Sequence, residues 1–332
     1  MKTISTLSVL LEKYFTDRLM RQLQASPSTI ASYRDTFCLL FAYAQECLGK
    51  KAASLKMEDL NSSFIVNFLC WLEKQRGNSA RTRNTRLAAI HSFFQFVALY
   101  DPIHSELIQR VLAIPGKRHE KQPVTYLNQS EVEALLVAPD LNTWGGRRDR
   151  TLMTLAVQTG LRVSELTGLN CEDINIENGP HVYCMGKGRK ERCTPLRKES
   201  IPVIQAWLSE RNGCAKDPLF PNARGTRLSR DGIEYILKKH AIAASNKCPS
   251  LLKKHVSPHV LRHTAAMDLL RHGVDRSVIA LWLGHETLET VNVYLHADMQ
   301  IKEKAMEKTT AYDIPFVRYR PDDELLAFLK SL

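Results

Sequence analysis

No apolar run in this chain approaches the ~20 residues a membrane-crossing helix needs, and the short stretch Leu7 to Leu11 is too brief and too broken by polar residues for a signal-peptide core. Both observations point to a protein that stays in the cytoplasm, away from any membrane. Eight cysteines are present, but no two stand in C-x-x-C spacing. A zinc site or a secreted disulfide framework is therefore not expected, and the thiols read as reduced and structural. There is no H-E-x-x-H, so no metal is expected, and neither a low-complexity tract nor an internal repeat stands out. Acidic residues are the scarcer charge, 35 Asp plus Glu against 46 Lys plus Arg, for a net charge of +11. Such an excess favours a polyanionic partner, nucleic acid first. At 332 residues the chain is long enough for two domains.

The first third shows helical periodicity only. Leu7, Leu10, Leu11, Tyr14, Phe15 and Leu19 predict one amphipathic helix to about residue 24. Ser26-Pro27 opens a second, which ends at Gly49 and carries Ile30, Tyr33, Phe37, Leu40 and Phe41 on its apolar face. Phe64 to Lys74 and Arg81 to Tyr100 supply two more, so residues 1–113 read as a helical bundle. Arg81, Arg83 and Arg86 crowd the start of the last helix beside Thr82, Asn84 and Thr85, residue types that reach phosphates and base edges, although a solvated helix face would look the same. Residues 114–127 lack periodicity and hold Pro115, Gly116 and Pro123, as a linker does. Its Lys117 and Arg118 suit a strap across a phosphate backbone.

Beyond it, Asn128 with Glu131 makes a capping-box start for a helix to Leu136. Arg150 to Thr159 reads as a buried helix that turns at Gly160 into a short one, and the turn leaves Arg162 between Leu161 and Val163. That is a poor place for a free surface charge. A guanidinium there suits bidentate phosphate recognition or a salt bridge to a carboxylate. Asp173–Ile176, His181–Met185 and Arg192–Leu196 read as a small three-stranded antiparallel sheet whose first turn is Asn178-Gly179. Gly186-Lys187-Gly188 starts the turn before the third strand, with spacing wrong for a Walker A loop. Helices near 199–212 and 231–246 read as scaffold.

Ser257-Pro258 then predicts a helix N-terminus, placing His259 and Arg262 at i and i+3 on one face, with Leu261, Ala265, Leu269 and Leu270 opposite. Gly273 ends that helix. A short second helix is expected to turn Val278, Ile279 and Leu281 inward and to stop at Gly284, with His285 at its exit and Tyr294 nine residues on.

The order His259-Val260-Leu261-Arg262, Leu283-Gly284-His285, Tyr294 resembles the C-terminal block of the tyrosine recombinases, the phage integrase family that includes the Xer-type enzymes. Thr159 to Leu166 (T-G-L-R-x-S-E-L) is similar to that family's first-arginine motif, and the Gly186–Arg192 turn to its lysine hairpin. The resemblance implies a mainly helical catalytic domain over residues 128–332 behind a helical core-binding domain that clamps DNA. It implies Tyr294 as nucleophile forming a 3′-phosphotyrosyl link, and Arg162, Arg262 and His285 around the phosphate. Lys187 would be the acid toward the 5′-oxygen and His259 an acid/base partner. Glu165 and His263 would support the site. No cofactor is implied. The implied enzyme is a DNA strand transferase, a site-specific recombinase for integration, excision or resolution. Its partner is double-stranded DNA, and it works as a homotetramer on two sites in the bacterial cytoplasm. A type IB topoisomerase or a non-catalytic DNA-binding protein on the same scaffold is the alternative. The apolar residues Leu325, Leu326, Phe328, Leu329 and Leu332 of a short last helix read as an assembly tail for a groove on a neighbouring protomer, the alternative being a helix folded back on its own domain.

Overall fold

A computed structural model describes residues 6–119, 124–177, 179–186 and 191–284. The chain divides into two compact units, Met1–Lys121 and Gln122–Leu332. The described residues are mostly helical, and no helix among them is long and apolar enough to cross a membrane.

In the first unit Thr6 caps α1 (Leu7–Lys13), which runs straight into a π-helical stretch, Tyr14–Gln22. One continuous α-helix was the expectation. The i→i+5 winding instead carries Tyr14 and Leu19, five apart and both buried, toward one side of the chain. The Ser26 hydroxyl accepts from the Thr29 backbone N–H at 3.2 Å and Pro27 occupies the first turn of α2 (Pro27–Leu48), which Gly49 ends with φ +62°. Asn61 caps α3 (Ser62–Lys74) and Ser79 caps α4 (Ala80–Val97), and α5 (Ser105–Leu112) closes the bundle. Aromatic edges build much of its core: Tyr14, Phe37 and Phe93 pack edge-on, and the Tyr14 hydroxyl is satisfied by Ser92 at 2.7 Å. The front of the expected linker belongs to this unit. Ile114 is buried in the core, and the Asn84 side chain bonds both the N–H and the C=O of Lys117, at 2.9 and 2.7 Å.

The second unit opens with α6 (Gln129–Val137), where Asn128 and Glu131 cap reciprocally as the sequence predicts. Next come α7 (Trp144–Thr159), α8 (Val163–Gly168), strands β1 (Ile174–Asn175), β2 (His181–Met185) and β3 (Glu191–Pro195), and helices α9 (Ile201–Arg211), α10 (Arg230–Ser245), α11 (Pro258–Arg271) and α12 (Arg276–Leu283). The sheet is antiparallel in the order β1-β2-β3, with Val182 opposite Thr194 and Cys184 opposite Arg192. Val182, Cys184 and Thr194 point into a core that holds Leu152, Leu155, Leu166, Trp207 and Leu261. A smaller cluster, Met267, Leu270, Ile279 and Leu283, fills the corner between α11 and α12.

Three expectations are corrected. On α12 it is Ile279, Ala280 and Leu283 that are buried, whereas Val278 and Leu281 are 45% and 77% exposed, because the helix packs only its α11 side. On α11 burial runs nearly all round, since α7, α10 and α12 all flank it, so the division into a polar and an apolar face does not hold. Among the cysteines only Cys184 is buried, while Cys38, Cys47, Cys70, Cys193 and Cys214 are exposed, so most of the thiols lie outside the core.

Candidate active site

The site starts from two helix ends. Gly160 ends α7 with φ +63° and Gly284 ends α12 with φ +63°, a left-handed turn that leaves the last carbonyls of each helix without an intrahelical partner. The two ends lie against each other. A Cβ on Gly160 would stand 2.5 Å from a Leu283 methyl, so only glycine lets the chains approach.

Guanidinium groups take up those carbonyls. Arg262, on the second turn of α11 and 3% exposed, donates to the Gly160 carbonyl and to the Leu283 carbonyl, each at 2.6 Å. Arg162, at the N-cap of α8, donates to the Gly284 carbonyl at 2.7 Å. Its other arm meets Glu165 Oε1 at 2.9 Å, while its backbone N–H donates to Glu165 Oε2 at 2.6 Å. Glu165 is 5% exposed and also receives Arg192 from β3 at 2.7 Å. Cations at the negative ends of two helices are placed where the helix dipoles favour them. Three arginines against one carboxylate leave this group of four side chains with an excess of positive charge. Guanidinium groups gathered in this way suit an anion, and their planar donors are of the kind that bind phosphate oxygens.

His259 lies on the first turn of α11 and is exposed, while Arg262 is buried one turn on. The His259 and His263 rings stand 5.2 Å apart. Burial, reinforced by the neighbouring His259 and Arg262, depresses the His263 pKa to about 4, so this imidazole is neutral near pH 7. It can pass a hydrogen bond but not a charge. Lys254 in the approach to α11 is not a free DNA contact: it donates to Glu131 at 2.6 Å and to the Tyr126 carbonyl at 2.8 Å. Lys187, His285 and Tyr294 lie outside the described residues.

In the first unit the predicted DNA-contact residues separate. Arg81 and Arg118 are exposed. Arg83 is committed to Asn84 and to the Pro115 carbonyl, both at 3.1 Å, and Lys117 to Glu73 at 2.8 Å. Arg86 is half-buried behind Thr36, and its pKa is lowered by burial and then by the charge of Arg76. Arg83 and Lys117 thus tie the linker down, and Asn84, of a residue type that reaches phosphates and base edges, is its clasp. Arg192 was passed over as well. The period-2 alternation of β3 did carry a signal, since it sets Arg192 on the same inward side as buried Thr194.

A family model described as the phage integrase family matches residues 125–301, and one described as the phage integrase N-terminal SAM-like domain matches residues 13–99. Over 328 residues the chain is 53% identical to y4rC of Sinorhizobium fredii, which carries the provisional name integrase/recombinase, covering 99% of each protein. It is 33% identical to the tyrosine recombinase XerD of Pseudomonas aeruginosa over 300 residues, 88% of this chain and 94% of that one. In fold it is similar to the XerH site-specific recombinase bound to palindromic difH substrate in a post-cleavage complex, with a TM-score of 0.69 at 24% identity, over 91% of this chain and 83% of that one. A lambda integrase dimer bound to a COC′ core site gives 0.63 at 17%, over 94% and 100%.

Proposed function

The chain belongs to the phage integrase family, and from that premise we propose that it is a site-specific DNA recombinase acting through Arg162, Lys187, His259, Arg262, His285 and Tyr294. The observation that carries the assignment is the convergence of Arg162 and Arg262 on two apposed helix ends around buried Glu165.

The Tyr294 phenolic oxygen attacks the scissile phosphorus, and the bond from phosphorus to the 5′-oxygen breaks. Lys187 delivers a proton to that leaving oxygen, which departs as a free 5′-hydroxyl. The phosphate stays on tyrosine as a 3′-phosphodiester, so the bond energy is kept for the rejoining attack by another 5′-hydroxyl. Arg162, Arg262 and His285 hold the non-bridging oxygens as charge grows on them, donors fixed before the reaction begins. His259 exchanges the tyrosine proton, and His263, neutral, supports it. Arg81 and Arg118 bind the duplex backbone. The active assembly is a homotetramer on two DNA sites, since exchange of both strands of two duplexes takes four cleavages. A groove of about 540 Å³ between α10 and residues 251–256, along which Tyr235, Ile242 and Leu252 are exposed, supports contact between copies.

The test is covalent capture. The protein is incubated with sheared genomic DNA of its host, denatured in detergent, and the DNA left attached is sequenced. Adducts at one shared sequence are expected, and Tyr294→Phe should leave none while binding the recovered duplex within about threefold. Adducts without any shared sequence would instead indicate a topoisomerase, and binding without adducts a non-catalytic protein.

A further inference from the structure

Arg192 reaches two acceptors of the guanidinium cluster, Glu165 and the Leu283 carbonyl, without belonging to the catalytic set. It sits on β3 with its side chain 10% exposed. One arm donates to Glu165 Oε2 at 2.7 Å, a second to the Leu283 carbonyl, and Nε lies 3.2 Å from the Cys184 sulfur. Each of its two oxygen acceptors is shared with another arginine. Glu165 is also held by Arg162, and the Leu283 carbonyl by Arg262. The backbone beyond runs hard against it, since a Cβ on Gly284 would stand 2.5 Å from Arg192 Nη1.

Sharing decides what Arg192 can do. The second oxygen of Glu165 is saturated by Arg192 and by the Arg162 backbone N–H, so the Arg162 side chain is confined to the first oxygen and to the Gly284 carbonyl. Without Arg192 the carboxylate would be free to rotate toward Arg162 and take both of its arms. The Leu283 carbonyl would lose one of two donors, loosening the turn that leads in sequence to His285. A lysine in this place could supply charge and one bond, but not a planar fork spanning two acceptors.

We propose that Arg192 is a positioning residue for DNA cleavage, a brace from the sheet that sets the spacing of Arg162, Arg262 and the turn at Leu283-Gly284. The inference rests on the reading of Arg162 and Arg262 as the phosphate-binding pair. The brace acts on the reaction step and not on DNA affinity.

The experiment uses the full chain and the duplex recovered by covalent capture, nicked beside the cleavage point so that the adduct accumulates. Arg192→Lys, Arg162→Ala and the double variant are compared with wild type for single-turnover adduct formation at saturating protein, for duplex affinity and for melting temperature. Arg192→Lys should form adduct about 30-fold more slowly, the scale of a small misplacement of reacting groups, with affinity within about threefold. In the Arg162→Ala background the same change should cost clearly less, about fivefold, because the part of its effect that passes through Glu165 to Arg162 is already lost. Adduct formation by Arg192→Lys within about twofold of wild type, or losses that multiply in the double variant, would overturn the proposal. So would a melting temperature more than about 10 °C below wild type, which would make Arg192 a residue of stability. Absence of adduct with wild type defeats the site reading itself, a different outcome from an active wild type with an indifferent Arg192.

Discussion

Glu165 carries two guanidinium groups and a backbone N–H on one buried carboxylate, so its charge organises the site more than any neutral contact there. Glu165→Gln should lower stability by about 3 kcal/mol, because Arg192 and the partly exposed Arg162 lose the buried carboxylate they share. A urea denaturation midpoint equal to that of wild type would show that the surplus charge is tolerated without it. The sequence made Arg162 legible, since an arginine between two apolar residues after a helix-ending glycine has to find a partner close by. Of its two candidate partners, a carboxylate and a phosphate, the carboxylate proved to be Glu165, three residues on. Arg192 was not legible in the same way. Its partners lie 27 and 91 residues away, and no local pattern reports contacts of that range.

Helix boundaries followed from local chemistry. Ser26-Pro27, Asn128 with Glu131 and Ser257-Pro258 open helices where capping dictates, and Gly49, Gly160 and Gly284 close them. What periodicity could not give was the neighbourhood of each helix, hence the misread faces of α11 and α12 and the unseen π turn at Tyr14. A second local device ties the short helical turn at Met57–Leu60 to the start of α5. There His104 bridges Asp101 at 2.7 Å and Glu58 at 3.0 Å. The Glu58 bond, then Asp101, raises the His104 pKa against the opposing effect of burial, while the His104 bond lowers that of Glu58. A histidine raised above its unfolded value stabilises fully below that value, near 6.5, and loses the contribution as pH climbs through the raised one. The lowered Glu58 adds stability above the ordinary carboxylate range and loses it in acid. His104→Ala should therefore lower the melting temperature of the first unit at pH 6 and leave it close to wild type at pH 9. An equal loss at both values would mean that the imidazole acts by packing alone.

Across the whole chain, a net charge of +11 makes duplex binding strongly dependent on salt, but it does not assemble copies. We propose that the apolar residues after Asp322-Asp323-Glu324, which lie outside the described residues, join protomers. Truncation after Tyr312 should spare binding of single protomers to half-sites and eliminate the complex of two duplexes in a gel-shift assay. If the shortened protein still pairs duplexes, the tail is not the element that joins protomers. The distribution of thiols has a further use. Exposed Cys38, Cys47, Cys70, Cys193 and Cys214 meet any alkylating reagent at once, whereas Cys184 lies buried beneath the Arg192 guanidinium. Burial holds its thiol above the ordinary pKa, so it reacts when the sheet opens locally around it. Its rate of modification is thus a clock inside the catalytic unit, counting how often the brace lifts, and a phosphate that tightened the arginines would slow it.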